Sequence, residues 1–240
     1  MAATIRGFAS GSAAGNTTGT ITINASTLST VPVAGDQLIA FVHNNNANNN
    51  TSPSFYGTTP TGWTIAAAQV GGASGNDFAI VYKRTATATT ADNFVLNFGG
   101  DGSGFESNTT VIVVTLANAG TPVFTSYASS QGVGNKTVTV PSVGATGDLL
   151  LVSVGAFPWS SSSAITYGTN PSGMSAVTTL GTPPATAPES SILYQQVLGT
   201  PSTKTVSTTL DAAIMGVGVS VPYAASIPTT ISQIGWGFIV

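Results

Sequence analysis

The chain has 240 residues, of which five are Lys or Arg and eight are Asp or Glu, a charged fraction of 5% where ordinary globular domains carry roughly 25%. Hydrophobic residues make up 42%, which excludes the low-hydrophobicity, high-charge composition of disordered chains, and no apolar run approaches the roughly 20 residues of a spanning helix. Arg6, Lys83, Arg84, Lys136 and Lys204 are too few to neutralise a row of phosphates, so neither nucleic acid nor membrane is expected as a partner.

The amino-terminal stretch Met1–Phe8 shows neither the basic region nor the apolar core of a signal peptide. A chain with an extracellular-looking surface and no such signal has three expected routes outside: release by lysis as part of a virus particle, a secretion route that needs no such signal, or a precursor segment that precedes this sequence. There is no cysteine, so neither disulfides nor thiol chemistry is available.

Along the chain, short β-branched or aromatic runs alternate with Gly, Pro, Asn and Ser. They predict strands at residues 20–24, 37–43, 63–70, 78–85, 93–98 and 109–116, then at 136–140, 148–154, 191–198, 203–210 and 214–221. No segment carries a sustained helical period. This spacing predicts an all-β fold of antiparallel sandwiches or barrels.

The second series repeats the first in order. Thr20-Ile21-Thr22-Ile23 matches Thr137-Val138-Thr139-Val140, and Gly35-Asp36 before an apolar run matches Gly147-Asp148. Pro60-Thr61-Gly62-Trp63 matches Pro171-Ser172-Gly173-Met174, and Ile80-Val81-Tyr82 matches Ile192-Leu193-Tyr194. The expectation is two tandem antiparallel β-sandwich domains of jelly-roll type, residues 1–120 and 121–240, joined near 120–135. In each repeat the Gly-Asp pair predicts a turn with Gly at positive φ and Asp capping backbone N–H groups, and Pro-x-Gly predicts a type II turn. Trp63 and Met174 are then inward plugs, and Tyr82 and Tyr194 are expected to bury their rings and leave the hydroxyls at an edge.

Residues that carry chemistry are scarce. His43 is the sole histidine, ends an apolar run and precedes an Asn-rich stretch, so it is expected at a surface or strand edge. No Ser stands in a Gly-x-Ser-x-Gly elbow, and one His without Cys does not make a zinc site. The loop at 99–106, with Asp101 and Glu106, lacks the regular spacing of a calcium loop and reads as a hairpin loop. No catalytic residue, metal or cofactor is expected. Carbohydrate-binding candidates are Trp63, Trp236 and the loop-borne Trp159, with the Phe55-Tyr56 pair and the Asn run at 44–50. The apolar end, Ile231 to Val240, reads as a strand tied into a sheet or lent to a neighbour.

The series Gly35-Asp36-Gln37-Leu38, Pro60-Thr61-Gly62-Trp63-Thr64 and Ala79-Ile80-Val81-Tyr82-Lys83-Arg84 resembles the β-sandwich structural proteins of tailed bacteriophages, of the minor structural, head-decoration or tail-associated kind. The likeness covers residues 1–120 well. The second half departs from it, with Met174 in place of Trp and Gln195-Gln196 in place of the basic pair. The resemblance implies a non-enzymatic virion protein, a capsid decoration or cement subunit on the particle surface, with the major capsid protein and copies of itself as partners. Ile5, Phe8, Trp159, Ile234, Trp236, Phe238 and Val240 are the expected contact residues. The alternative is a tail, fibre or cell-surface adhesin that binds host glycans.

Overall fold

The computed structural model describes residues 2–13, 19–46, 59–71, 77–98, 107–141, 144–158, 165–181 and 190–224. They are all-β, with no α-helix among the described residues. The first half contains β1 (Thr4–Ala13), β2 (Gly19–Ile23), β3 (Gln37–Asn46), β4 (Thr64–Gly71), β5 (Asp77–Thr85), β6 (Phe94–Phe98) and β7 (Ser107–Ala117). The second contains β8 (Val123–Val140), β9 (Leu149–Pro158), β10 (Ser175–Gly181), β11 (Ser190–Val197) and β12 (Lys204–Val221). Short 3-10 turns occupy Ala25–Thr27 and Thr90–Asp92.

All pairings between these strands are antiparallel. One five-stranded sheet has the order β1-β7-β3-β5-β4, and β2 pairs with β6 in a small sheet. The other five-stranded sheet has the order β8-β12-β9-β11-β10, which is the first order with each strand replaced by its sequence repeat. Even the irregularities recur: β4 slips by one residue between Ile65 and Ala67, and β10 between Ala176 and Thr178. A bulge at an edge strand twists it away from further pairing.

The halves differ in continuity. β8 and β12 each run through 18 residues, so the second sheet curls into a half-barrel. The register between them breaks at Ser207/Asp211 and Asp211/Ala212, and Gly132 and Gly134 stand opposite at φ 123° and 81°. Extra residues bend a strand, and glycine tolerates the positive φ the bend requires.

Both faces of each five-stranded sheet are buried. On β3, Leu38, Ala40 and Val42 face a core beneath β2 and β6, which contribute Ile21, Ile23, Phe94 and Leu96. Ile39 and Phe41 point the other way, into a central core shared with Leu149, Leu151, Leu193, Val217, Val219 and Val221 of the second half. Leu150, Val152 and Val154 face a third core under the curled ends of β8 and β12. Period-two alternation assigns these residues to opposite faces. Across the central core β3 lies on β9, β5 on β12, β7 on β11, β4 on β8 and β1 on β10. Exchanging each strand for its repeat reproduces this set of contacts, so the halves pack with approximate two-fold symmetry about the β3–β9 pair.

Between β7 and β8 the chain crosses over residues 118–122, and from Val123 onward it is strand, paired to β12. The sequence did not lead to an expectation of β1 and β10. Ser- and Gly-rich sequence reads as turn, yet Gly7 serves close packing: a Cβ there would come within 2.4 Å of the Thr30 carbonyl oxygen.

Candidate functional site

The acids of the repeated turns act on their own backbone. Gly35 and Gly147 have φ of 93° and 95°. Asp36 Oδ2 accepts from Val33 N at 2.9 Å, and Asp148 Oδ2 accepts from Ala145 N at 2.9 Å. Each also accepts from a hydroxyl on the adjoining strand, Thr115 at 3.2 Å and Ser220 at 2.6 Å. Asp36 alone gains an ion pair, with Arg6 Nε at 2.7 Å. The Pro-x-Gly turns close as expected, Trp63 N donating to Pro60 O and Met174 N to Pro171 O, both at 2.9 Å. Trp63 and Met174 are buried plugs. Trp63 donates Nε1 to Asn93 O at 3.0 Å and meets Phe94 edge to face, with ring centroids 5.0 Å apart. Tyr82 and Tyr194 are buried, and burial pushes the Tyr82 hydroxyl up to about 12.

His43 is not a surface residue. It is 2% exposed and lies between the two five-stranded sheets, on the same face of β3 as Ile39 and Phe41. Its Nε2 is 2.9 Å from Ser153 Oγ, while Nδ1 is buried without a hydrogen-bond partner. Burial pulls the imidazole down from 6.5 to about 3, so the ring is neutral at physiological pH. Thr110 on β7 pairs with Ser191 on β11 in the same layer. Gly155, the repeat of His43, supplies the room: a Cβ there would stand 2.4 Å from the ring. The two-fold seam therefore carries a large residue on one side and none on the other. Gly155→Ala is expected to cost about 1–3 kcal/mol by overpacking. His43→Ala in the same chain should recover part of that loss, and urea unfolding of the two single variants and the double variant reads the coupling.

The one elaborated loop of the described residues follows β5. Asp92, with its side chain fully enclosed, accepts from the backbone N–H groups of Thr87, Ala88 and Thr89, from Thr87 Oγ1 at 3.0 Å and from Arg84 Nε at 2.9 Å. Burial pushes this carboxyl up, but the Thr87 N–H, Arg84, the Thr87 hydroxyl and the Ala88 N–H outweigh it, and the net shift is downward. The loop walls two clefts. One, of about 410 Å³, is lined by Thr59, Pro60, Thr61, Arg84, Asn93 and Asn97 among others. The other, of about 400 Å³, runs between the loop and the Asn24–Ser26 and Val31–Pro32 segments.

Of the expected contact residues, Ile5 and Phe8 lie together on β1, half-buried against the central core. Trp159, Ile234, Trp236, Phe238 and Val240 lie outside the described residues, as do Phe55-Tyr56, residues 47–50 of the Asn run and the loop at 99–106. Asn44, the first of that run, is buried and donates Nδ2 to Thr109 Oγ1 at 2.7 Å. Sequence reasoning passed over the Asp92 loop, although Thr89-x-x-Asp92 is a capping-box signature and the box forms. Among the described residues no three His, Asp or Glu side chains gather as a metal site would need. No family model, curated protein or solved structure matches the chain.

Proposed function

We propose that the chain is a non-enzymatic structural protein of a tailed-phage particle, a decoration subunit that cements the head from outside. In this reading it is two tandem β-sandwiches, residues 1–120 and 121–240, the second repeating the first. The observation that carries it is where the ionisable side chains stand. Asp36, Asp92 and Asp148 hold turns, Arg6 and Arg84 hold two of those acids, and His43 is sealed between sheets. Such a molecule offers its neighbours neutral hydroxyl, amide and apolar surface over a scaffold buried on both sheet faces. Its partners are the major capsid protein and further copies of itself, with Ile5 and Phe8 on the β1 edge and the apolar end from Ile234 to Val240 as contacts.

Quantitative mass spectrometry of purified particles tests the proposal. The protein is expected in constant ratio to the major capsid protein, and to stay bound from low to high ionic strength because few charges are available to screen. Absence from the particle, or only a few copies on each, overturns the cement role.

The cleft walled by Thr59, Arg84, Asn93 and Asn97 beside the Asp92 loop favours a second reading, an adhesin that binds glycans, because its mixed lining sets amide, hydroxyl and guanidinium groups beside apolar surface, as sites that orient sugars do.

A further inference from the structure

The two halves provide an internal comparison. They share sheet order, edge bulges, Gly-Asp turns and Pro-x-Gly turns, so those features belong to the scaffold. The connection from β5 to β6 does not. Ala86 and Leu198 are matched by their bonds to the Gly-Asp turns, and Phe94 and Lys204 by their partners Ile23 and Val140. Between these markers the first half has seven residues and the second has five. The longer loop contains the ion pair, the capping box and Ala88 at φ 59°. A non-glycine residue in the left-handed region costs about 1 kcal/mol or more, and the second half completes the same sheet without that cost. The loop holds strain in a place where the second half closes the same sheet without it.

What it builds is the cleft of about 410 Å³, within the usual size of small-ligand sites. The lining has a definite hydrogen-bond polarity. Asn93 Oδ1 is occupied by Ala25 N at 2.8 Å, and Asn97 Oδ1 by Thr20 Oγ1 at 2.9 Å, so both amides have their NH₂ groups left to offer. Arg84 uses Nε on Asp92 and keeps its two terminal nitrogens. Its guanidinium is held on the other side by the Pro60 turn, where a Cβ on Gly62 would fall 1.8 Å from Nη1. Thr59, Thr61 and Thr90 add hydroxyls, Pro60, Ala91 and Val95 add apolar surface, and among the described residues no carboxylate lines the cleft. In the second half the position of Arg84 is taken by Gln196 and that of Phe94 by Lys204, whose Nζ is buried on the Ser172 carbonyl at 2.8 Å.

We propose that this cleft binds a carboxylate-bearing saccharide, with Arg84 taking the carboxylate and the amides of Asn93 and Asn97 taking hydroxyl and ring oxygens. The lining is rich in donors and includes a guanidinium whose charge Asp92 partly offsets but whose terminal nitrogens stay open, so it matches a ligand rich in acceptors that carries a carboxylate, to which a planar guanidinium donates from two nitrogens. The inference deepens the adhesin reading and rests on it, and it holds wherever on a particle the chain sits.

Titration calorimetry on the full chain tests it, with two acidic probes, a galacturonic acid tetramer and a glucuronic acid–N-acetylglucosamine tetrasaccharide, and neutral maltotetraose as comparison. At least one acidic probe is expected to bind about tenfold or more tighter than maltotetraose. Asn97→Ala, an exposed change that leaves the core intact, and Arg84→Gln, which installs the residue of the second half, are each expected to weaken it about tenfold. Circular dichroism confirms that the variants fold. Acidic-probe binding that both variants leave unchanged overturns this cleft while the adhesin reading stands on another face. Tighter binding of maltotetraose overturns the assignment of ligand class. No binding of any probe at about 1 mM, together with an empty glycan array, removes both the cleft and the adhesin reading.

Discussion

Asp92→Ala is expected to lower the stability of the chain by about 3–4 kcal/mol at neutral pH, a larger effect than at Asp36 or Asp148. The carboxylate has no exposure and satisfies five donors, three of them backbone N–H groups of Thr87, Ala88 and Thr89. Removing it leaves those groups and Arg84 Nε without a partner in a part-buried loop, and each orphaned donor costs more than its bond contributed. Ala88, held at φ 59°, loses the contact that offsets its strain. Asp92→Asn, which keeps the shape and one acceptor, should fall between the variant and the native chain. Asp148→Ala serves as the control, since that carboxylate holds one N–H and one hydroxyl and has no ion pair in the described structure. Urea unfolding at pH 7 measures all three. A loss at Asp92 no greater than at Asp148 would refute the role assigned to the loop.

Acidification is expected to unfasten the seam between the halves well before carboxylates titrate. Among the described residues His43 has no charged neighbour: it pairs in its sheet with Ala79 and Thr110 and faces Ser153 and Gly155. Protonating it would place an uncompensated charge between two apolar sheets. Its folded value is about 3 against 6.5 when exposed, so the unfolded chain binds the proton first. The stability contributed by the neutral ring is complete above 6.5 and declines as pH falls from there towards 3, at about 1.4 kcal/mol per unit. By pH 4.5 the loss is roughly 2–3 kcal/mol. Asp92 acts in a lower window, because its folded value lies below its ordinary 3.8 and its contribution fades only as pH falls through that range. His43→Leu should therefore flatten the dependence between pH 7 and 4.5 while leaving the steeper loss below it. An unchanged slope in that variant would show that some other group controls the acid response.

His43 also shows where reading the sequence stops. Its place two residues after Phe41 and four after Ile39 put it on their face, which is a legible signal. Its burial was not legible, because a strand end is exposed unless a second sheet covers it, and that sheet lies more than a hundred residues away at Ser153 and Gly155. The Gly-Asp and Pro-x-Gly turns, by contrast, are local devices. Positive φ, a fixed proline φ and an Asp bonded three residues back are decided within one turn, so they could be placed from composition and order alone. β1 and the first part of β8 were hidden for the opposite reason: their Ser and Gly residues have turn-like propensity, and pairing with β7 and β12 overrides it.

The amino-acid sequence by itself determined the all-β class, the order-preserving repeat, the turns that punctuate it and the small number of ionisable groups. These follow from side-chain period, backbone freedom and composition, all of them short-range or additive properties. Only the tertiary structure decided that the five-stranded sheets share a central core, that His43 fills the space Gly155 leaves, that β8 and β12 curl into a half-barrel, and that the loop at Asp92 walls a donor-lined cleft. Those features depend on which faces meet across the fold, a long-range outcome of burying apolar area that no single segment specifies.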